Sequence, residues 1–357
     1  ATRPWTAEAA GPPAMSSTPT CKINLALQGG GSHGALTWGV LDALLEDGSL
    51  VFDGISGTSA GAMNAVALAQ GFAQAARQES DPVAAQALGA QLARASLTEL
   101  WEGVGTMGSL MWGAPLPGSP FMGVLNQFFS PYQTNPLDIN PLRKLLERVV
   151  DFEALTRPPV EGVVPKVFVC ATNVRTGRGS IFSGRRLSAD AVMASACLPQ
   201  LFKAVEIDGE PYWDGGFSGN PALYPLIYGT ASSDILLVQI NPIEHTDLPN
   251  TAADIMDRMN EVTFNAGLLS ELRAIEFVKR LLEQGKLDPA RYKKVLLHRV
   301  DGGAVLKGYG ASTKTRSDMR FVRELFELGR EQGQHWLQQH RSDIGVRQTL
   351  HINDNSP

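Results

Sequence analysis

Five residues early in the chain, Gly57-Thr58-Ser59-Ala60-Gly61, match the pattern G-x-S-x-G. A predicted strand at 51–55 precedes them, and a predicted helix at 60–74 follows. A serine on a sharp strand-to-helix turn exposes its hydroxyl, and the helix amino terminus favours negative charge that develops beside it. The pattern therefore predicts Ser59 as a nucleophile. A serine that only caps the helix is the alternative that this pattern leaves open.

A glycine-rich loop, QGGGSHG at 28–34, lies between a predicted strand at 23–27 and a predicted helix at 35–45. Such loops direct backbone N–H groups into one concavity, which suits a phosphate or an oxyanion. Gly29, Gly31 and Gly34 fit a dinucleotide-binding pattern, but its acidic residue would be near Asp53, six residues before Ser59. Because the two loops follow successive strands, the sequence favours an oxyanion hole that serves Ser59, made by the N–H groups of Gly30 and Gly31.

A nucleophilic serine also needs a base. Asp214, in Tyr212-Trp213-Asp214-Gly215-Gly216, is the candidate, either alone or in a triad with His245 or His298. Only one clear strand precedes the strand before Ser59, whereas α/β-hydrolase nucleophiles follow several, so the order argues against a triad. A dyad requires burial to raise the pKa of Asp214, because an ordinary aspartate accepts a proton poorly at neutral pH. An aspartate that only closes its own turn remains the alternative.

The elements that would position these residues alternate along the chain. Strands are predicted at 23–27, 51–55, 166–171, 205–207, 211–213, 234–240 and 294–300, and helices at 35–45, 60–74, 188–196 and 255–282. Asp208-Gly209 predicts a hairpin turn. Buried strands that alternate with helices indicate an α/β fold with a largely parallel sheet.

Two longer segments have distinctive composition. In the predicted helix 255–282, apolar residues recur on one face, which predicts a core helix rather than a partner-binding one. That face carries Ile255, Met259, Val262, Ala266, Leu269, Leu272 and Ile275. Residues 95–142 contain no Lys or Arg and are rich in aromatic residues, Met, Gly and Pro. They form either a lid or pocket wall, or an irregular excursion packed on the core.

Composition excludes several classes of protein. The chain has 357 residues, 43% of them hydrophobic, which suffices for a large core. A net charge of −5 argues against a nucleic-acid-binding protein. Three cysteines make neither a disulfide framework nor a metal site and favour a reducing compartment. We expect no cofactor or metal. We also expect no transmembrane helix and no secretory signal, because the sequence has no run of 18 apolar residues and its first 21 residues have no apolar segment.

Three separated motifs together resemble those of bacterial patatin-like phospholipases, which are Ser–Asp dyad lipid acyl hydrolases. The motifs are GGGSHG at 29–34, GTSAG at 57–61 and DGG at 214–216. ATNVRTG at 171–177, ASACLPQLF at 194–202 and the stretch 261–282 are also similar. The resemblance extends from about Lys22 to about Leu337. It implies a three-layer α/β/α fold with a mainly parallel central sheet and a helical C-terminal extension.

The resemblance also implies roles for individual residues. Ser59 would be the nucleophile and Asp214 the base, with an oxyanion hole from Gly30 and Gly31, joined by Ser32 or His33. The elbow and loop glycines would be Gly29, Gly34, Gly57, Gly61, Gly215 and Gly216. His33 stands where the family has Arg or Lys. If its charge orients the loop or a lipid phosphate, activity becomes pH-sensitive near the histidine pKa.

These implications predict a phospholipase A or lysophospholipase-type esterase with a covalent acyl-serine intermediate. The alternatives are an acyltransferase, a storage-polyester or short-chain esterase on the same site, and a protein that binds acyl chains without turnover. We expect a tail at 1–21, a catalytic core at 22–240, a C-terminal extension at 241–340 and a tail at 341–357.

One surface prediction concerns the membrane. Residues 291–323 carry nine Lys or Arg against Asp301 and Asp318, which suits peripheral contact with anionic lipid. A solvated face paired with acidic residues is the alternative. We expect a cytoplasmic protein whose substrate is a lipid or another acyl ester, with no prediction of oligomeric state.

Overall fold

The computed structural model describes residues 21–113, 140–199, 202–244 and 248–350. Its strands form one sheet in the order β5-β6-β3-β2-β1-β7-β8, with β4 paired to β3. The strands are β1 (Cys21–Leu27), β2 (Leu50–Gly57), β3 (Lys166–Asn173), β4 (Gly179–Ser183), β5 (Val205–Ile207), β6 (Glu210–Asp214), β7 (Asp234–Gln239) and β8 (Leu296–Asp301). The sheet is parallel from β3 through β2, β1 and β7 to β8, and antiparallel where β4, β5 and β6 join.

Helices cover both faces of this sheet. Those of the described residues are α1 (Gly34–Asp47), α2 (Ala60–Gln78), α3 (Pro82–Gly113), α4 (Pro141–Val149), α5 (Phe152–Thr156), α6 (Ala189–Ser195), α7 (Tyr224–Gly229), α8 (Ala252–Glu283), α9 (Gly302–Leu306) and α10 (Met319–His340). In β7, Leu236 belongs to the core under α1 and α2, whereas Leu237 belongs to a second core with Leu268 of α8. Alternate residues of a strand point to opposite faces, so the architecture is three-layer α/β/α, as predicted.

The predicted strands and helices are all present, and their bounds differ by a few residues. The hairpin at Asp208-Gly209 joins antiparallel β5 and β6, with Asp208 at φ 53°. Gly48 ends α1 in the left-handed conformation at φ 68°, and Gly285 follows α8 at φ 67°, a conformation that glycine adopts where helices end. The C-terminal region is helical, yet it also adds β8 to the central sheet. The boundary at 240 stays a prediction.

The predicted core face of the long helix was wrong over its first half. Met259 and Val262 of α8 are 59% and 53% exposed, whereas Glu261 and Asn265 are buried. Partners from other segments hold these two side chains inward: Lys314 pairs with Glu261 at 3.8 Å, and Gln28 donates to Asn265 at 2.8 Å. The apolar stripe of this half therefore faces solvent. The apolar periodicity indicates the buried face only from Leu268 onward.

Residues 95–113 of the predicted excursion belong to α3, where the indole of Trp101 is buried and donates to Asn64 Oδ1. Residues 114–139 lie outside the described part of the chain, so the choice between a lid and a packed excursion stays open. Residues 1–20 and 351–357 of the predicted tails also lie outside it. Residues 341–350 are described, and the Leu350 N–H donates to the Leu297 carbonyl at 2.9 Å. No helix of the described residues is long and apolar enough to cross a membrane.

The basic stretch 291–323 is largely engaged with other groups. Its contacts are Lys294–Glu283, Arg299–Asp301, Lys314–Glu261, Arg316–Asp318, Arg323–Glu102, and Lys293 with the Thr230 carbonyl. These contacts favour the alternative of a face paired with acidic residues. Membrane contact through this stretch stays a prediction.

Candidate active site

The register of β3 brings Ser59 and Asp214 together. Gly57, the last residue of β2, pairs with Val169, and Asp214, the last residue of β6, pairs with Ala171. β4 occupies the other edge of β3, so β2 and β6 must share one edge and approach each other end to end. Since β2 is parallel and β6 antiparallel to β3, the carboxyl ends of both strands meet there. The residues that follow Gly57 therefore arrive beside Asp214.

Ser59 lies on a strained turn. Its backbone has φ 56° and ψ −122°, which side-chain-bearing residues rarely adopt, and helix α2 begins at the next residue. The Ser59 N–H donates to Ser195 Oγ at 2.9 Å, and that hydroxyl donates to the Cys170 carbonyl at 2.6 Å. Ser195 is fully buried. The hydroxyl of Ser195 thus holds the backbone of the elbow and takes its N–H out of any oxyanion hole.

Asp214 is buried and only half satisfied. Its Oδ1 accepts the Gly216 N–H at 2.7 Å, whereas Oδ2 has no fully aligned hydrogen-bond partner among the described residues. Burial raises the pKa of Asp214 to about 7, and the neighbouring Gly216 N–H and Ser59 hydroxyl lower it by less. Loose alignment of this kind is common where catalytic groups await substrate. The geometry supplies a carboxylate beside Ser59 that can accept a proton near neutral pH.

The glycine loop touches the elbow. A Cβ on Gly29 would lie 2.6 Å from the Thr58 carbonyl and 2.8 Å from Ser59 Cβ, so only glycine permits this approach. Gly31 has φ 59°, and the Lys314 carbonyl occupies the space that its Cβ would need. The N–H groups of Gly30 and Gly31 donate to no other described residue. They are thus free to meet an anion near Ser59.

The side chain of His33 is bound away from the candidate oxyanion hole. Its N–H donates to the Gly30 carbonyl at 3.3 Å, and its Nε2 lies 2.8 Å from Thr313 Oγ1. Burial, and secondarily the Lys314 ammonium, lower the pKa of His33 to about 4. The imidazole is therefore neutral at pH 7, and the hypothesis of a histidine charge that titrates near its ordinary pKa is not supported. Ser32 is buried beside it.

Two of the alternatives that the sequence leaves open, His298 and Asp53, are bound to other groups. His298 is buried and bonds Asp234 at 3.0 Å and Thr349 at 3.1 Å, so it forms no triad with Asp214. His245 lies outside the described residues. Asp53 pairs with Lys22 at 2.9 Å and accepts the N–H groups of residues 231 and 232, so it does not serve a dinucleotide loop.

Sequence reasoning missed the polar residues that support the site. They are Ser195 behind the elbow and four amides around the glycine loop, Gln28, Asn220, Asn241 and Asn265. One signal was available: Gln28 and Asn241 follow parallel strands β1 and β7, whose carboxyl ends share the edge of the sheet that carries Ser59.

The chain is similar to a known protein family and, more distantly, to solved structures. The crystal structure of VipD from Legionella pneumophila is 16% identical, with a TM-score of 0.39, over 90% of this chain and 67% of that chain. A search of curated proteins gave no match. The family model for patatin-like phospholipase matches residues 25–227, which include the glycine loop, the elbow and Asp214. The chain therefore belongs to the patatin-like phospholipase family.

Proposed function

We propose that this protein hydrolyses lipid acyl esters, with Ser59 as the nucleophile, Asp214 as the general base and the N–H groups of Gly30 and Gly31 as the oxyanion hole. The observation that carries the proposal is the buried Asp214, whose Oδ2 lacks a well-aligned partner and whose carboxyl lies beside the Ser59 hydroxyl. Family membership supports a lipid substrate. The donor pair and the strained elbow support acyl transfer to serine rather than binding alone.

In the first half of the reaction, Ser59 Oγ attacks the ester carbonyl carbon and Asp214 takes the hydroxyl proton. The carbonyl oxygen becomes an oxyanion that accepts hydrogen bonds from Gly30 and Gly31. The bond between the carbon and the leaving alkoxide oxygen then breaks, and Asp214 returns the proton to that oxygen. The products are an alcohol and an acyl-Ser59 ester.

In the second half, water repeats the attack on the acyl-enzyme. Asp214 removes a proton from the water, and the carbon–Oγ bond breaks as Ser59 recovers its proton. The products are a carboxylic acid and the free enzyme. A carboxyl with a pKa of about 7 suits both directions of transfer, because a base works best when its pKa lies near the operating pH.

An alkyl fluorophosphonate tests this function directly. Its phosphorus reacts with an activated serine and releases fluoride, so wild-type protein is expected to gain the mass of a single adduct. Ser59→Ala should gain none, and Asp214→Asn should react much more slowly because the base is lost. Intact-mass spectrometry at several reaction times measures all three.

The controls separate the possible readings. An adduct on Ser59→Ala would place the nucleophile elsewhere, and no adduct on correctly folded wild-type protein would favour a protein that binds acyl chains without turnover. Chromatography of the products with and without an added alcohol then separates hydrolysis from acyl transfer. Free fatty acid as the product in both cases supports the hydrolase.

The pH dependence assigns the titrating group. With Asp214 as the base, kcat/KM should rise through about pH 7 and level off above it, since only the carboxylate accepts the serine proton. His33→Gln keeps a polar side chain beside Thr313 and is expected to leave this midpoint in place, because the imidazole is already neutral there. Rates measured from pH 5 to 9 check this, and a midpoint that moves in His33→Gln would assign the titration to His33 instead.

A further inference from the structure

The side chains of two asparagines bind the backbone N–H and carbonyl of Gly29. The Gly29 N–H donates to Asn220 Oδ1 at 2.6 Å. The Gly29 carbonyl accepts Asn241 Nδ2 at 2.6 Å and, at 3.4 Å, Asn220 Nδ2. Asn220 and Asn241 are 1% and 0% exposed, so water does not compete for these bonds. Gly29 thus has both backbone polar groups bound by side-chain amides.

The carbonyl contact fixes the direction of the next N–H. In a planar trans peptide the carbonyl of Gly29 and the N–H of Gly30 point in opposite directions. Asn241 and Asn220 draw the carbonyl to one side, so the Gly30 N–H must point to the other, where it donates to no described residue. Between two glycines this peptide would otherwise turn over easily, because glycine tolerates both signs of φ.

Two further amides hold the backbone around Asn241. Gln28 Oε1 accepts the N–H groups of Ile240 and Asn241 at 2.8 Å each, and Gln28 Nε2 donates to Asn265 Oδ1 at 2.8 Å. Asn265 Nδ2 donates in turn to the Pro242 carbonyl at 3.0 Å. This set, Gln28, Asn220, Asn241 and Asn265, is here named the amide clamp. Gln28, Asn220 and Asn265 each use both the oxygen and the nitrogen of the amide in these bonds. Asn241 donates through Nδ2, and its Oδ1 has no partner among the described residues.

We propose that Asn241 is a positioning residue that sets the orientation of the Gly30 N–H for the reacting ester. The proposal rests on the proposed hydrolase function and extends it, since Asn241 and Asn265 lie beyond residues 25–227 that match the family model. The C-terminal region thereby becomes part of the catalytic apparatus. The same region places Thr313 against His33 and the Lys314 carbonyl against Gly31.

Asn241→Ala removes the amide that donates to the Gly29 carbonyl, at a buried position that does not contact the substrate. We expect kcat on a soluble acyl ester to fall by roughly 10- to 100-fold, below the loss typical of deleting an oxyanion donor, with KM within about twofold. Asn24→Ala is the matched control: Asn24 is also a fully buried amide on β1, but it donates to the Ser232 carbonyl. This control should lower the melting temperature and keep kcat.

Each outcome bears on one claim. Wild-type kcat in Asn241→Ala overturns the proposal, and so does a loss of kcat in Asn24→Ala that matches the loss in Asn241→Ala at equal melting temperature. If Asn241→Ala does not fold, Asn241→Leu keeps a similar volume and removes the donor; wild-type kcat there also overturns the proposal. Ser59→Ala in the same assay tests the function separately: an inactive Ser59→Ala with an unimpaired Asn241→Ala refutes only the role of Asn241.

Discussion

Ser59→Ala is expected to lower kcat for ester hydrolysis by at least about 10⁴-fold, since it removes the atom that forms the acyl-enzyme. The oxyanion donors and the binding surface remain, so a small activity above the uncatalysed rate is expected to persist. The fold should be unaffected, because the hydrogen bond that holds the elbow comes from the Ser59 N–H and not from its hydroxyl. Initial rates on a chromogenic ester and on phospholipid, with melting temperatures, measure both effects.

Ser270→Ala provides the matched serine control for this experiment. Ser270 is exposed on α8, and its hydroxyl donates to the Ala266 carbonyl of the same helix at 3.0 Å. Its kcat should equal that of wild type. If Ser59→Ala kept more than about one percent of wild-type kcat, the loss would be far smaller than that for deletion of a nucleophile, and Ser59 would not be the reacting serine.

The sequence predicts most of what places Ser59. Alternating apolar runs locate β1, β2, β3 and β7, and short loops after parallel strands must meet at one edge of the sheet. Because the G-x-S-x-G motif directly follows β2 and the glycine loop directly follows β1, the sequence predicts that Ser59 lies beside that loop. The position of Asp214 is harder to predict, because it depends on β6 and β2 sharing one edge of β3. The resemblance of DGG at 214–216 to the family motif, rather than any local pattern, points to Asp214.

The supporting residues are harder to predict, although Gln28 and Asn241 follow strands that end at the same edge of the sheet. Asn241 and Asn265 lie in no local motif, and their partners are more than 20 residues away in sequence. Helix α8 shows the related failure: Glu261 and Asn265 are buried because they meet groups from other segments, whereas Met259 is exposed. Apolar periodicity assumes that the buried face of a helix packs on an apolar core. Where a helix packs on polar groups beside a site, the buried residues are polar and the apolar ones are exposed.

Asp214→Asn is expected to lower kcat by about 10³- to 10⁴-fold, near the upper end of the effect of a general base. The asparagine has the shape of aspartate, so its Oδ1 can still accept the Gly216 N–H that closes the turn. It cannot take the serine proton at any pH. The residual rate should therefore lose the rise through about pH 7 that wild type shows, and pH–rate profiles of both proteins test this.

The same substitution should stabilise the fold above neutral pH. Because burial raises the pKa of Asp214 from 3.8 to about 7, the folded protein holds this proton after the unfolded chain has lost it. The stability gained from the raised pKa is complete below about pH 4, declines as the pH rises towards 7 and is absent above pH 7. The full gain is at most about 4 kcal/mol. The Asp214→Asn variant does not lose this stability as the pH rises. Its free energy of unfolding relative to that of wild type should therefore increase from pH 5 to pH 8.

Asp53→Asn supplies the contrast in the same titration. Lys22 and two backbone N–H groups lower the pKa of Asp53, so this carboxyl is ionised in folded and unfolded protein alike from pH 5 to pH 8. Its substitution should shift the free energy of unfolding by a constant amount over that range. Denaturant unfolding at both pH values measures the two differences, and an Asp214→Asn difference as flat as that of Asp53→Asn would contradict a raised pKa. If Asp214→Asn lost activity but showed no pH-dependent gain in the free energy of unfolding, Asp214 would be an ordinary carboxylate. Another group would then have to be the base for Ser59.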